Sequence, residues 1–393
     1  MPGDLLRVIY GLCSSRQYDR ARFAAVCTSW HAVASWHPKP PAIPVLVPST
    51  SNGQHDRAMR AYSPEEGRVL PKPLPCFPRG WRIVGSHDGG WVAAVLGPQV
   101  VLVNLFTCAR VPLPRDFACR CPTTQKTTSK IFIQKIVFSK SPSSQGCILA
   151  AITTRCGLAV HKLGCKDEDG WTTRGCGTDI CPSLADIAFY NDELYGLVSF
   201  GMLYSFVLGR NNTGAPVVTA FNIVTFDIPI YGHGHGMLHY ANYIVELRGK
   251  LAIAAQVGHY KAHSFRVFEL VNSATRWPHK YTWSEVASLG DHALFLGPRC
   301  CKAVQVSGVG MHSIVEANCI YYSSRHGDVV DCLAILDLGS CAIYCWESDN
   351  VVDSERIMSR GYHYREKDEN YDYGESDGGN GHNTCTWVLP PQI

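Results

Sequence analysis

The sequence lacks the spacing signatures of the commonest metal, nucleotide and hydrolase sites. None of its 18 cysteines is paired as CxxC, and it contains no GxxxxGKS/T loop, no HExxH and no GxGxxG opening a helix. A GxSxG pattern occurs at residues 374–378, but it lies in a strongly acidic segment without the preceding apolar strand that a hydrolase elbow requires. Each signature places ligands or a nucleophile at a spacing that its chemistry requires, so a zinc ribbon, a phosphate-binding loop or a hydrolase elbow would leave one. We therefore expect no catalytic residue, no metal and no cofactor.

Long apolar runs and concentrated charge of one sign are also missing. The apolar segment near the start is interrupted by Arg7, and no stretch approaches the roughly 20 apolar residues that cross a bilayer. The net charge is +3, and no cluster of lysine and arginine alternates with aromatic residues as a nucleic-acid surface would. We therefore expect no secretion signal, no membrane partner and no nucleic-acid partner.

The 18 cysteines allow three interpretations, which are disulfides, zinc ligands and free thiols. Several lie singly in apolar runs, for example Cys27, Cys147, Cys319 and Cys332. Free cysteine behaves as a small buried hydrophobic residue, and disulfides are rare in reducing compartments. Because zinc sites need paired ligands and the pattern of a secretion signal is missing, we expect free thiols and a location in the cytoplasm, the nucleus or both.

Two short motifs contain catalytic residue types but have simpler structural interpretations. Ser86, His87 and Asp88 are neighbours in the chain, and since strand side chains alternate between faces they cannot converge as a triad. Asp88 followed by Gly89 is typical of a tight hairpin turn, which is the structure we expect there. The two histidines of the GHGHG segment 232–236 supply only half of a zinc site, and we expect a loop.

The acidic segment 366–377 resembles a calcium-binding loop only in part. Asp368, Asn370 and Asp372 alternate as ligands would, but the required glycine is displaced and another glycine stands where the bidentate glutamate belongs. Its high charge and few apolar residues predict an exposed, flexible loop over about residues 365–381.

Short β-rich runs dominate the chain from Arg82 onward. Residues 82–348 divide into five groups of about four strands, separated by glycine, asparagine, aspartate or proline, with a period of about 53 residues. This period is close to the roughly 50 residues of a kelch-type propeller blade. We expect residues 59–75 to combine with residues 386–390 as a sixth blade that closes the ring. A pair of β-sandwiches is the alternative fold.

The N-terminal part has helical periodicity. In residues 19–34 (DRARFAAVCTSWHAVA), apolar side chains recur at spacings of three and four, which predicts one face of a single helix. Leu5, Ile9 and Leu12 share a face of a shorter helix upstream. Considered alone, this pattern predicts a small helical hairpin packed on the β-domain.

These helical segments carry a resemblance to a known module. The patterns PxxLLxxI from Pro2 and DxxRFxxVCxxW from Asp19 resemble an F-box, the three-helix module that binds the Skp-type adaptor of cullin-RING ubiquitin ligases. Downstream, SHDGGWVAAV, a VNLF strand leading to VPLP, and WSEV followed by LGDHALFLG are similar to a large plant family of F-box proteins of the KIB type. The C-terminal region of that family is a kelch-related propeller known as a domain of unknown function.

The resemblance implies an α+β multidomain chain, with a small all-α F-box followed by an all-β propeller of about five to six four-stranded blades. We divide the chain accordingly into an F-box at residues 1–38, a proline-rich linker and loop at 39–58 and a propeller at 59–393. Phe23 is expected mainly in the core of the F-box. The residues implied in adaptor binding are Pro2, Leu5, Leu6, Ile9, Val26, Cys27 and Trp30.

By this resemblance, the protein is expected to be a substrate-recognition subunit of a Skp–cullin–F-box ubiquitin ligase. The F-box would bind the Skp-type adaptor and, through it, the cullin, while one propeller face binds an unidentified protein substrate. Catalysis would take place on other subunits, so the chain is not expected to be an enzyme. Two alternatives remain open. One is an enzyme with a pocket near the central channel, and the other is an F-box scaffold that binds a protein or small molecule without causing degradation.

Overall fold

The computed structural model of the protein describes residues 3–13, 22–36, 42–49, 61–65, 68–70, 74, 81–96, 99–114, 133–153, 157–165, 170–173, 184–198, 202–225, 238–259, 262–273, 281–306, 315–323, 341–345 and 384–391. Within these ranges, no helix combines the length and apolar character needed to cross a membrane. Pro2, the GHGHG segment and the acidic residues 365–381 lie outside the described residues.

The N-terminal helices differ from the single helix predicted over residues 19–34. Helix α1 spans Gly3–Cys13, a helical turn covers residues 22–24, and helix α2 spans Thr28–Trp36. The amide of Ala25 donates to the carbonyl of Arg22, and the amide of Val26 donates to that of Phe23, both at 3.2 Å. Such bonds to the third preceding carbonyl are typical of a helix end. The prediction of one continuous helix is therefore wrong.

The helical segments share a small apolar core of their own, which we call the helical cluster. Its buried members are Leu6, Tyr10, Phe23 and Val33, with Ile9, Trp30 and Ala34 packed against them. The Phe23 ring lies 5.1 Å from the ring of Tyr10 and 4.3 Å from that of Trp30, measured between centroids. Phe23 is 4% exposed, so its predicted place in the core is confirmed.

The strands form six four-stranded sheets, which are the blades of a propeller. Strands β1 Val45–Ser49, β2 Tyr62–Ser63 and β3 Arg68–Val69 open blade 6. Blade 1 contains β4 Arg82–His87, β5 Trp91–Leu96, β6 Gln99–Asn104 and β7 Arg110–Pro112, and blade 2 contains β8 Ile133–Phe138, β9 Ile148–Thr153, β10 Gly157–Lys162 and β11 Thr172–Thr173. Blade 3 contains β12 Leu184–Tyr190, β13 Glu193–Val198, β14 Leu203–Arg210 and β15 Pro216–Thr225, and blade 4 contains β16 Leu238–Leu247, β17 Lys250–His259, β18 Ala262–Asn272 and β19 Tyr281–Glu285. Blade 5 contains β20 His292–Gly297, β21 Cys300–Gln305, β22 Cys319–Ser323 and β23 Cys341–Cys345, and β24 Thr384–Val388 completes blade 6.

The blades are held together by apolar clusters that lie between neighbouring sheets. Each of the six junctions around the ring has such a cluster, because strand side chains alternate and both faces of a blade are covered. Between blades 5 and 6, the Phe295 ring lies 4.9 Å from that of Tyr321 and 5.1 Å from that of Trp387. The propeller prediction is confirmed with six blades, and the alternative of two β-sandwiches is wrong.

Blade 6 closes the ring by pairing the first and the last strand of the described chain. β24 is its innermost strand and pairs antiparallel with β1, from Val45 opposite Val388 to Ser49 opposite Thr384. A composite sixth blade is thus confirmed. β1, however, lies inside residues 39–58, which we assigned to a linker. The correction has a physical reason, since the first three side chains of β1 are apolar and buried in the ring.

Blade 5 departs from the sequential strand order of blades 1 to 4. β21 is its innermost strand, β20 is second, and β22 pairs parallel with β20. The chain therefore enters this blade at its second position, turns inward to the axis and then crosses to the third position.

The predicted hairpin turn after His87 is confirmed between β4 and β5. His87 pairs with Trp91, and the turn contains Gly89 at φ 77° and Gly90 at φ 86°. Glycine adopts positive φ without the steric cost that a side chain brings.

Candidate functional site

The innermost strands surround a central channel, and one end of it carries a cleft. We call this end the channel mouth. It is the end at which the hairpin turns 88–90, 191–192 and 248–249 lie. The cleft has a volume of about 330 Å³ and lies between blades 3, 4 and 5. Its lining consists of Ala188, Phe189, Ile244, Val245, Glu246, Arg248, Gly249, His292, Cys301, Lys302 and Ala303.

One wall of the cleft is fixed by a hydrogen bond between blades 3 and 4. The hydroxyl of Tyr190 donates to the carbonyl of Gly249 at 2.7 Å. Arg248 and Gly249 have φ of 52° and 70° and form the two-residue turn between β16 and β17. A turn with positive φ at both residues matches the twist of the flanking strands. The cleft wall is therefore built before any ligand arrives.

The cations of the lining are bound to carboxylates that lie outside it. Lys302 contacts Asp88 of blade 1 at 2.6 Å, and Arg248 contacts Glu269 at 2.8 Å. Burial favours the neutral amine of Lys302, but the charge of Asp88, the hydrogen bond to it and smaller contributions from Cys300 and Glu246 together outweigh burial and raise the pKa of Lys302 above its ordinary value. His292 Nδ1 lies 2.7 Å from an oxygen of Asp291.

A buried ion pair lies deeper along the channel and connects three blades. Lys135 of β8 donates to Asp186 of β12, and both side chains are almost fully buried. Asp186 also accepts hydrogen bonds from the amides of Ile187 at 2.8 Å and Ile244 at 2.9 Å. Burial lowers the pKa of Lys135, but the charge of Asp186, its hydrogen bond and the contributions of Cys300 and Cys301 together outweigh burial, so the pKa is raised overall.

The two neighbouring thiols of β21 are protonated at neutral pH. Burial raises the pKa of Cys300 and raises that of Cys301 to about 12. Because the thiolate is the reactive form, neither residue is an activated nucleophile.

Among the described residues, no group of three or more histidines, cysteines or carboxylates is placed to hold a metal ion. The prediction that the cysteines are free needs one correction, since Cys108 is disulfide-bonded.

Ser86, His87 and Asp88 make separate contacts at the channel mouth. The Ser86 hydroxyl donates to the carbonyl of Trp387 at 2.6 Å, while Asp88 is bound to Lys302. Burial lowers the pKa of His87 below its ordinary value. The three side chains serve blade contacts and a turn, and the structure does not bring them together as a triad.

The residues implied in adaptor binding fall into different environments. Leu6 is 2% exposed and lies in the core of the helical cluster, so it is not on the surface that a partner would meet. Ile9 and Trp30 are partly buried against the same core. Leu5, Val26 and Cys27 are exposed, and Pro2 lies outside the described residues.

Leu5 and Leu12 were predicted on one face of α1 with Ile9, but Val8 was not singled out and Leu12 was not included among the adaptor contacts. Leu5, Val8 and Leu12 are 49%, 59% and 80% exposed, and we call these three residues the α1 stripe. Their spacing of three and four places them on one side of the helix, while Leu6 and Tyr10 face the core. The spacing alone could have revealed the α1 stripe, since two apolar faces on one short helix require two covering surfaces.

The polar residues of the channel were also missed, and no local pattern could have indicated them. Lys135, Asp186 and Lys302 lie on strands of three different blades. Only closure of the ring brings them near one another.

Comparison with known proteins gives a family match and two distant structural similarities. The family model described as the KIB1-4 beta-propeller matches residues 61–351, which include β2 to β23. No curated protein matches the sequence. The crystal structure of human WBSCR16 aligns with a TM-score of 0.31 at 11% identity, over 61% of this chain and 65% of that chain. The crystal structure of the N-terminal domain of Nup159 aligns with a TM-score of 0.30 at 11% identity, over 75% of this chain and 70% of that chain.

Proposed function

The chain belongs to the KIB1-4 beta-propeller family, and on this premise we propose that it is the substrate-recognition subunit of a Skp–cullin–F-box ubiquitin ligase. A protein-interaction propeller fits this family. In the proposed role, the helical segments form an F-box that binds a Skp-type adaptor and, through it, a cullin. The propeller holds a protein substrate, the chain itself is not catalytic, and the ligase works in the cytoplasm or nucleus.

The observation that carries the proposal is the uncovered apolar surface of the helical segments. The residues of the α1 stripe are exposed and are not part of the buried core of the helical cluster. The side chains of Val26 and Trp36 are also apolar and are 59% and 65% exposed. Helices this short are marginal in isolation, and burying apolar area contributes about 25 cal/mol per Å². A helical partner such as the adaptor would supply the missing cover.

The experiment is co-purification of the full chain with a Skp-type adaptor, comparing wild type with Leu12→Asp. Leu12 is the most exposed member of the α1 stripe, so the change leaves the helical cluster intact. We expect wild type to bind and Leu12→Asp to lose at least about tenfold in affinity, because a charge would be buried without a partner.

The matched control is Val207→Asp, which places the same charge on an exposed apolar position of β14 in blade 3. It should bind the adaptor as wild type does. If wild-type protein fails to bind any Skp-type adaptor, or if both variants lose binding equally, the proposed role is wrong. A captured partner whose abundance does not change with proteasome activity would favour the non-degradative scaffold.

A further inference from the structure

We propose that the outer edge of blade 3 binds an extended, uncharged segment of the protein that the propeller recognises, as an added β-strand. The edge is formed by β15, the outermost strand of its sheet, and in the described part of the chain no fifth strand pairs with it. Main-chain hydrogen bonds to such an edge give affinity, and the side chains beside it give specificity. This proposal rests on the protein-binding part of the proposed function and adds the surface and the form of the recognised segment.

The length and composition of β15 distinguish it from the outermost strands of the other blades. It spans ten residues and has no charged side chain. Among the described strands, its counterparts β3, β7, β11, β19 and β23 span two, three, two, five and five residues. Short strands and charged side chains are two of the means by which proteins protect a sheet edge from other strands. Blade 3 therefore has the edge that is least protected by these two means.

The accessible part of this edge is a regular stretch of four residues. Register shifts against β14 leave Thr219 and Val224 outside the pairing, and between them residues 220–223 pair in order with residues 204–207. Three of the four side chains in this stretch are exposed. The register shifts bend the strand on either side, so the template for an added strand is limited to this stretch.

The side chains around the stretch favour an uncharged partner. Ile223 is 39% exposed, and Val207, which is opposite Ala220, is 44% exposed. In the described part of the propeller, Leu96 is the only other large apolar side chain with comparable exposure. An added strand would continue the rows of cross-strand neighbours, with apolar side chains beside these residues. Because β15 has no charged side chain, it offers no counter-ion to a charged segment.

The strand is held at both ends by neighbouring blades. The Thr172 hydroxyl of blade 2 donates to the carbonyl of Pro216, and the indole nitrogen of Trp283 in blade 4 donates to the Thr225 hydroxyl at 2.9 Å. The edge is therefore formed before a ligand arrives, which reduces the ordering that binding requires. A second copy of the chain is a poorer occupant, because a two-fold contact confined to four residues falls short of the roughly 1,200 Å² that stable interfaces bury.

The test uses the full chain and three blocked peptides as probes. They are Ac-Thr-Val-Thr-Val-Thr-NH₂, the same peptide methylated on each backbone nitrogen, and Ac-Glu-Val-Glu-Val-Glu-NH₂. Saturation-transfer NMR titration measures each affinity. We expect the uncharged peptide to bind and the other two to bind at least about tenfold more weakly, because one lacks amide donors and the other brings charge to an uncharged edge.

Hydrogen exchange measured by mass spectrometry locates the binding. The uncharged peptide should slow amide exchange in β15 and leave exchange in β19 unchanged. A double variant, Ala220→Lys with Asn222→Lys, charges two exposed positions of the edge and should weaken the uncharged peptide about tenfold while strengthening the glutamate peptide. The matched control, Thr282→Lys with Ser284→Lys, charges two exposed positions at the same spacing on β19 and should change neither affinity.

Five results would overturn the proposal. They are no binding of the uncharged peptide, equal binding of its methylated form, equal affinity of wild type and the β15 double variant, exchange protection on the outermost strand of another blade instead of β15, and self-association of the chain that protects β15 without peptide. Adaptor co-purification separates this failure from failure of the proposed function, because the β15 double variant changes only the propeller and should retain the adaptor in every case.

Discussion

At the scale of single residues, the charges at the channel axis are the most constrained groups in the propeller. Lys135 and Asp186 lie on β8 and β12, and both side chains are almost fully buried. They form an ion pair, and Asp186 also accepts hydrogen bonds from two backbone amides. A buried ion pair is weak evidence for stability, but removing one partner leaves the other charge uncompensated.

The first residue-scale prediction is that Lys135→Met lowers the free energy of unfolding by about 3 kcal/mol, because Asp186 then remains buried without its counter-ion. Urea denaturation followed by tryptophan fluorescence measures the loss. The double variant Lys135→Met with Asp186→Asn is the control, and it should recover most of the loss since no charge remains. A double variant as unstable as the single one would contradict this explanation.

The contribution of the Lys135–Asp186 pair to the free energy of unfolding should depend on pH. The pKa of Lys135 is raised in the folded chain, so its contribution to stability is complete below the unfolded pKa and is lost as pH rises through the folded value. The difference between wild type and Lys135→Met should therefore be constant near neutral pH and shrink in the alkaline range.

At the scale of elements, the N-terminal helices show where a periodic pattern misleads. The spacing in residues 19–34 fits one helical face, yet the structure bends the chain at Ala25 to Cys27 and begins a new helix at Thr28. The amide of His31 donates to the carbonyl of Cys27 at 2.9 Å, which starts α2. The bend leaves Val26 exposed and directs Trp30 against Phe23, so residues predicted on one face separate into surface and core.

The element-scale prediction concerns Trp30, which we expected at the adaptor contact. Its ring lies 4.3 Å from that of Phe23, so Trp30→Ala should loosen the helical cluster as well as remove surface. We expect faster amide hydrogen exchange in residues 3–13 and 22–36, with the main melting transition of the propeller unchanged.

Trp36→Ala is the matched control for Trp30→Ala, because Trp36 is exposed at the end of α2 and lies outside the helical cluster. Its ring contacts α1 through the guanidinium of Arg7, which lies 5.1 Å from the ring centroid, and an exposed contact of this kind contributes about 0.5–1 kcal/mol. Trp36→Ala should leave hydrogen exchange in the helical segments nearly unchanged. Equal effects of the two substitutions would mean that Trp30 does not contribute to the cluster.

Turns and strand groups were the elements that the sequence predicted best. The turn after His87 and the strand groups beginning at Arg82 depend on local chemistry, since glycine tolerates positive φ and alternating apolar residues cover both faces of a blade. β1 was missed because Pro44 and Pro48 suggested a linker. β2 pairs with β1 only at Leu46, so at Pro48 the paired neighbour is Cys385 of β24 on the other side of β1. Proline has no amide hydrogen to donate, and it is tolerated at a position that is paired on one side only.

At the scale of the whole molecule, the stability of the ring depends on the closing blade. Trp387 is fully buried, its indole nitrogen donates to the carbonyl of Leu296 at 2.9 Å, and its ring packs on Phe295. One side chain of β24 thus joins blade 6 to blade 5.

The whole-molecule prediction is that Trp387→Ala destabilises the propeller by about 3–5 kcal/mol, the range for truncating a buried tryptophan. Differential scanning calorimetry should show a single transition displaced to lower temperature, because every blade depends on both neighbours. Val207→Ala, at an exposed position of blade 3, should shift the transition little. A propeller that melts in two separate steps in wild type would contradict this dependence.

The six-blade architecture was predictable in outline, whereas the candidate site was not. Repetition of strand groups is a local signal, and closure follows from the need to cover open strand edges. The cleft depends on how blade 5 is wound, since β21 takes the innermost position although it follows β20. That exchange places Cys301 and Lys302 at the axis, and no periodicity in the sequence indicates it.

The pairing of β1 with β24 also has a consequence during synthesis. These strands are separated by about 335 residues, so at a translation rate of about 5–20 residues per second β1 waits about 20–70 s for its partner. In that interval, the apolar side chains of β1 are exposed on the nascent chain while blades 1 to 5 emerge. We therefore expect the ribosome-bound protein to be a chaperone client until β24 is released from the exit tunnel.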